Sequence, residues 1–350
     1  MDLYNLGKVS WQDSQLLYHA LAHLGREALM IVQPGDRYVC IGYHQDAERE
    51  VEVDYLRAHD IPLFRREVGG GAVYLDEGQL FYQFVLRADR DDVPKNKDQF
   101  YRKYLGPVVQ TNRDFGVDAE FKPVNDIIVG GRKISGNGAG EIGGMAVLVG
   151  NFILDFNYEM MSRVLRVPDE KFRDKVYKTL EGALSTLKRE LGEAPTIEQL
   201  SERLIEHCEP LLGRFTPRGV DDELRAMADR LWEEQFSHDE WTLANDLRRR
   251  GGRDVKIASG VHVVERVFKA PGGLIRATAV QREDRLYDVH LSGDFFLFPA
   301  DSLADLETAL EGVSAEAGAI EARITGFYAS HAVETPGVTP HDFAVALVGE

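Results

Sequence analysis

Two short segments about sixty residues apart constrain this chain more than anything else in it. The first reads Arg65-Arg66-Glu67-Val68-Gly69-Gly70-Gly71-Ala72-Val73-Tyr74-Leu75-Asp76, and the second reads Asn125-Asp126-Ile127-Ile128-Val129-Gly130-Gly131-Arg132-Lys133-Ile134-Ser135-Gly136. Each joins a glycine turn to strand-like residues and carries cations. Three glycines between the apolar runs Ile61–Phe64 and Ala72–Leu75 can take positive φ and let a ligand press on the backbone, and successive N–H groups in such a turn form an anion-binding concavity. The same turn serves in plain hairpins. Arg65 and Arg66, with their planar charged forks, are what point to a phosphate or carboxylate. In the second segment Gly130-Gly131 reads as a two-residue hairpin turn. On the strand that follows, Lys133 and Ser135 share one face and Ile134 takes the other. Most strand lysines are merely solvated; the glycines and Asn125-Asp126 beside this one argue for a pocket lysine.

These motifs resemble those of lipoate–protein ligases, within the biotin/lipoate ligase superfamily. That family carries a pattern close to R-R-x-x-G-G-G-A-V-x-x-D, followed by N-D and then G-x-K-I-S-G, and the likeness is collinear from about Ser10 to Leu187. The resemblance implies that Arg66, Gly71, Ala72, Val73 and Tyr74 contact the nucleotide, with Asn125 and Asp126 beside them. It implies that Lys133 is the lysine contacting both acyl group and phosphate, hence the catalytic residue. It further implies ATP and lipoate as substrates, Mg2+ with Asp126 as a direct or indirect contact, and a lipoyl-acceptor protein domain as partner. The activity implied is activation of lipoate to lipoyl-AMP and transfer to an acceptor lysine. This chain departs from the pattern at Leu75, where the family usually has histidine, and at Ser135-Gly136-Asn137-Gly138 and Leu148-Val149-Gly150-Asn151, so the pocket wall is altered. Val73, Leu75, Leu148 and Val149 either line an acyl channel or belong to the core.

Two other classes compete. An acyltransferase of the same superfamily moves octanoyl or lipoyl groups between carriers without ATP, often through a cysteine. Cys40 and Cys208 both fall in apolar settings away from the two motifs, which favours inert thiols. A non-catalytic carrier-binding protein would have no need of the retained Arg66, glycine turn and Lys133. Biotin ligases carry a different glycine-rich signature.

Hydrophobic patterning predicts an α+β fold, a mixed and antiparallel sheet with packed helices. Helices are expected over Gln12–Leu24, Val51–Ala58, Phe100–Phe115, Tyr158–Leu165, Glu170–Leu191 and Thr196–Leu212, the last opened by the capping box Thr196-Ile197-Glu198-Gln199. Strands are expected over Ala28–Val32, Tyr38–Tyr43, Leu80–Leu86 and Ala146–Asp155. After Leu247 the character changes to three strands (Val261–Phe268, Leu274–Gln281, Leu286–Leu291), then Gly293-Asp294-Phe295-Phe296 and helices near Leu303–Leu310 and Ala315–Thr325. This is similar to the small α+β C-terminal accessory domain of larger lipoate ligases. A catalytic domain over 1–247 and an accessory domain over 254–350 follow, with Arg248–Arg253 as an exposed linker or a contact for an acidic partner. The tail is expected to assist catalysis without supplying the pocket. At 350 residues the chain is long enough for two domains, and its net charge of −17 argues against general nucleic-acid binding, which calls for a basic face. With no apolar run near membrane-spanning length, no signal-peptide pattern and no disulfide framework, a cytoplasmic protein is expected.

Overall fold

The computed structural model describes residues 1–167, 169–251 and 261–349. Its centre is a six-stranded sheet in the order Asn137–Ile142, Met145–Ile153, Gln79–Arg87, Ala28–Pro34, Asp2–Val9, Thr216–Pro217. The first four strands pair antiparallel and the last pairings are parallel, so the sheet is mixed, as the patterning predicts. Period-2 alternation sends Tyr82, Phe84 and Leu148 to one face, under the helices Lys97–Asp114 and Ile197–Leu212. It sends Phe81, Val85 and Val147 to the other, under Trp11–His23 and Asp222–Leu231. Ser10 caps the first of these helices by accepting from the Asp13 N–H at 3.1 Å, and Thr196 with Gln199 forms the expected capping box.

Two small three-stranded sheets carry the motifs. Tyr38–Ile41 lies between Leu63–Arg65 and Val73–Leu75, and Asp126–Val129 lies between Glu120–Lys122 and Arg132–Ser135. The single helix expected over Glu170–Leu191 is broken into Arg173–Ala183 and Leu187–Leu191. The break has a local cause. Leu184 turns extended and bridges to Lys133, the Ser185 N–H donates to the Lys133 carbonyl at 2.8 Å, and Thr186 then caps the next helix. The helix is interrupted where the chain braces the lysine strand.

The tail forms an antiparallel sheet of Val261–Ala270, Gly273–Arg282 and Arg285–Gly293, packed on the helices Ser302–Leu310, Ala317–His331 and Pro340–Val348. Consecutive residues there serve different cores: Phe295 buries in the tail's own cluster, whereas Phe296 buries in the body's. The expected solvated linker is not what the structure shows. Arg248 and Arg249 lie on the helix Ala244–Gly251; Arg248 pairs with Glu307 of the tail, and Arg249, 8% exposed, sits between Asp46, Glu48 and Asp246. These arginines therefore neutralise buried carboxylates where body meets tail. The remainder of the expected linker, through Arg253, and the boundary at 254 lie outside the described residues. No described helix is long and apolar enough to cross a membrane.

Candidate active site

The two motifs meet at one cavity of about 460 Å³. Arg66, Gly71, Ala72, Val73, Asn125, Asp126 and Lys133 all line it. Tyr74 does not. Strand alternation turns Val73 and Leu75 toward the cavity and Tyr74 away, into an apolar cluster with Met161 and Val164. The same parity separates Val149, which lines the cavity, from Leu148, which is core.

The neighbouring arginines do different work. Arg65 is 1% exposed, and its guanidinium donates to the carbonyls of Gly42, Tyr43, Trp241 and Thr242 at 2.8–3.2 Å. It ties separate chain segments together and does not reach the cavity, so the expectation of a paired-arginine anion site is corrected to Arg66 alone. Arg66 Nη2 donates to the carbonyls of Gly69 and Gly71, each at 3.0 Å, and Nη1 points at Cys40 Sγ at 3.4 Å. Three of the five N–H groups of a guanidinium are thus turned on the glycine turn and the strand beside it. The turn needs glycine for distinct reasons. Gly70 has φ +101°, and a Cβ on Gly69 would fall 2.7 Å from Phe296 Cδ1. At Gly71 such a Cβ would meet Asp294 Cβ at 3.6 Å, an ordinary contact with the tail side of the cavity.

The second motif folds as its residues predict. Gly130 and Gly131, with φ +53° and +79°, make the tight hairpin turn. One detail differs. A register shift between Ile127 and Ile128 lets Ser135 bury completely along with Ile134. Ser135 Oγ lies 2.7 Å from the Tyr82 hydroxyl, which donates to Asn137 Oδ1 at 2.6 Å. Asn137 donates in turn to the Asn125 carbonyl at 2.9 Å, and the Asn125 amide donates back to the Asn137 carbonyl. Burial pushes the Tyr82 phenol up, leaving it a donor. Lys133 reaches Asp126 at 2.6 Å, both side chains about one-third exposed (35% and 31%).

Sequence reasoning missed several lining residues. Cys40 adjoins the first motif after all: it pairs with Val73 across the small sheet and lines the cavity. Its thiol is pushed up by burial, against the pull of Arg66. Cys208 is buried in the core and does not line the cavity, its thiol pushed up to about 12 by burial. Lys122 lines the cavity from the strand before Asn125. The tail contributes Lys269, Pro271, Gly272, Gly273, Asp294 and Phe296, which overturns the expectation that it leaves the pocket to the body. A signal was present: Lys269-Ala270-Pro271-Gly272-Gly273 repeats the pairing of a cation with a glycine turn seen in both motifs. Val73, Leu75, Phe81 and Val149 supply apolar wall. The arrangement brings cations, a glycine turn and an apolar surface together, which suits a molecule with an anionic head and an apolar tail.

Residues 9–209 match the family model of the lipoyl protein ligase A/B catalytic domain. The chain is 32% identical over 219 residues to lipoate-protein ligase A subunit 1 of Thermoplasma acidophilum, covering 59% of this chain and 81% of that protein. It is 25% identical over 301 residues to lipoate-protein ligase LplJ of Bacillus subtilis, covering 84% and 83%. It is also 27% identical over 224 residues to octanoyltransferase LipM of Kyrpidia tusciae, covering 57% and 81%. Among solved structures, an archaeal bi-partite lipoate protein ligase described with its E2 lipoyl domain from T. acidophilum superposes with a TM-score of 0.62 at 28% identity, over 69% of this chain and 95% of that one. A lipoate-protein ligase A bound with ATP superposes with a TM-score of 0.57 at 27% identity, over 69% and 98%. LipL1 of P. falciparum shares the fold over 94% of both chains, with a TM-score of 0.65 at 16% identity.

Proposed function

This chain belongs to the lipoyl protein ligase A/B catalytic-domain family, and from that premise we propose that it is an ATP-dependent lipoate–protein ligase. The observation that carries the proposal is the placement of Lys133 in one cavity with the Arg66-braced glycine turn and an apolar wall of Val73, Leu75, Phe81 and Val149. A carboxylate is a poor acyl donor because oxide is a poor leaving group. In the first step a lipoate carboxylate oxygen bonds to the α-phosphorus of ATP. The bond from that phosphorus to the bridging oxygen breaks, and its electron pair leaves with pyrophosphate. Two anions must be brought together, and Lys133, released from Asp126, donates to both and stabilises the charge that builds between them. The stretch Gly71–Val73, which lines the cavity, takes the nucleotide, with Asn125 beside it. Tyr74 takes no part in this, since it lies outside the cavity and its backbone N–H points at Met161 Sδ at 3.3 Å. In the second step the ε-amine of an acceptor lysine attacks the acyl carbonyl. AMP departs, the amine loses its proton, and positioning contributes much of the rate.

Asp126 and Asp294 are the carboxylates lining the cavity, and among the described residues no three His, Cys, Asp or Glu side chains gather as a metal cage. This donor set fits a magnesium ion held mainly by phosphate oxygens, with Asp126 as its protein contact. When bound, such an ion neutralises phosphate charge.

The Bacillus ligase aligns over 84% of the chain, too long a stretch to end before the tail, whereas the octanoyltransferase aligns over 57%. That favours ligation, with residues from about 254 onward as the accessory domain. The ATP-independent acyltransferase has one observation in its favour, the presence of Cys40 in the cavity. A buried thiol that keeps its proton is a weak nucleophile. The deciding assay incubates the protein with lipoate, ATP and magnesium and follows pyrophosphate and lipoyl-AMP. Release of both supports the ligase. No pyrophosphate, together with acyl transfer from an octanoyl carrier protein without ATP, installs the transferase.

A further inference from the structure

The charges around the cavity do not balance, and the excess has a specific origin. Six charged residues line it: Arg66, Lys122, Lys133 and Lys269 against Asp126 and Asp294. Lys133 is paired with Asp126 at 2.6 Å. Arg66 is committed to the carbonyls of Gly69 and Gly71. Lys133 is thus offset by Asp126, and Asp294 of the tail, 3.9 Å from Lys269, offsets part of that lysine's charge; the cavity keeps a net positive charge carried by Arg66, Lys122 and Lys269, of which Arg66 is turned on the glycine turn. In a chain carrying −17 overall, such a local excess concentrates anions.

The two lysines belong to separate parts of the molecule. Lys122 ends the outer strand of the sheet that carries Lys133, and its register partner is Asp126. Lys269 stands near the end of the first tail strand, just before the turn Pro271-Gly272-Gly273 that forms part of the cavity wall. Neither is locked in place. Lys122 is exposed, and the Lys269 side chain is 65% exposed with the Asp294 carboxylate at 3.9 Å. Asp294 accepts from the Leu274 N–H as well. Long, hydrated ammonium groups in this setting suit a compact, highly charged anion that must bind and then leave, not a planar carboxylate held in one pose.

We propose that Lys122 and Lys269 are a two-sided clamp for the β- and γ-phosphates, and so for the departing pyrophosphate, distinct from Lys133 at the reacting carboxyl and α-phosphorus. The proposal rests on the ligase reading. Its chemistry is confined to the first half-reaction, because the second contains no pyrophosphate. The clamp gives the tail a definite part in activation, since it brings one of the two cations.

The test compares Lys122→Met, Lys269→Met, the double variant and the two Lys→Arg variants with wild type in the full-length chain. Each methionine variant is expected to lower kcat/KM for ATP in lipoyl-AMP formation about tenfold and to weaken inhibition by added pyrophosphate. The double variant is expected to lose about a hundredfold, and the arginine variants to keep most of the activity. Transfer from preformed lipoyl-AMP to an acceptor domain is expected to stay within about twofold. Direct calorimetry of pyrophosphate and of ATP binding to the same proteins keeps the two readings apart. A wild-type chain that binds pyrophosphate through these lysines but forms no lipoyl-AMP overturns the ligase reading and leaves the clamp. Unchanged pyrophosphate affinity in the double variant, or equal losses in both half-reactions, overturns the clamp.

Discussion

The two walls of the cavity are held in place by different physics. The body wall is fixed from within. Arg66 and the carbonyls of its glycine turn, the paired amides of Asn125 and Asn137, and the Tyr82–Ser135 contact are hydrogen bonds whose partners all lie in that wall. The tail wall is fixed at a joint. Asp46, fully buried, accepts from His290 and Ser292, each at 3.1 Å, and faces Arg249 at 3.2 Å. Glu50 pairs with Arg276 at 2.8 Å, Arg49 pairs with Glu265, and His44 stacks on Phe295. Hydrogen bonds within the body wall hold across ordinary pH. The joint adds ion pairs and the buried ring of His44, so acid reaches the tail wall through its carboxylates and His44, and the body wall through His19 beside the glycine turn.

The sharpest way to break this comparison is at Lys133, the reactive point of the body wall. Lys133→Ala is expected to slow lipoyl-AMP formation about a hundredfold to a thousandfold, the loss typical of one preorganised donor at a developing charge, with an unchanged circular dichroism spectrum. Near wild-type adenylate formation in that variant would remove Lys133 from the chemistry.

Arg65 separates support from chemistry. Arg65→Ala strands four chain carbonyls and is expected to lower unfolding free energy by about 3 kcal/mol or more, read by urea denaturation, while the fraction still folded keeps its affinity for ATP. A variant of full stability that binds ATP poorly would return Arg65 to the anion site.

Acid sharpens the contrast next. Burial pulls His44, at the joint, down to about 3, with the Arg65 charge adding to the effect. Burial also pulls His19 down to about 4. His19 accepts from the Glu67 N–H at 3.1 Å, next to the glycine turn. The unfolded chain, with histidine near 6.5, takes up these protons at a pH where the folded chain does not. The stability this carries is complete above pH 6.5 and is lost as pH falls toward 4, at about 2 kcal/mol per histidine by pH 5. Denaturation midpoints at pH 7 and pH 5 measure the sum, and His44→Gln is expected to recover the share that belongs to the joint. A pH dependence of the midpoint left unchanged by both His44→Gln and His19→Gln would contradict the burial of both rings in neutral form.

The smallest effect is expected at Cys40. Cys40→Ala is expected to leave acyl transfer within about twofold of wild type, measured with an acceptor domain. An acyl thioester trapped on Cys40, or loss of transfer, would favour the transferase.

Much of the body wall is legible in sequence because its parts are neighbours in the chain. Arg66 and Gly71–Val73 lie within eight positions, as do Asn125–Asp126 and Lys133 within nine, and glycine turns leave a strong local mark. Strand parity is harder to read. The short strand Val73–Leu75 offers too few residues to show which face is inward, so the pattern alone neither keeps Tyr74 out of the cavity nor decides between core and wall for Leu148. The paired Arg65-Arg66 reads as one feature because sequence carries no sign of which guanidinium will meet backbone carbonyls. The tail wall is illegible for a different reason. Lys269 and Phe296 reach the cavity through contacts more than a hundred residues distant from either motif, and nothing local distinguishes such a lysine from a solvated one. Arg249 reads as linker for the same reason, since its partner Asp46 lies some two hundred residues away.

The ring of Phe296 occupies the space that a methyl group at position 69 would need. The two positions are thus bound by heredity as well as by packing: while residue 296 stays aromatic, residue 69 is confined to glycine, and a lineage that shortens 296 releases 69 to drift. Among descendants of this chain, the pair is expected to vary together or not at all. Gly69→Ala, harmful alone, is expected to be partly rescued by Phe296→Leu.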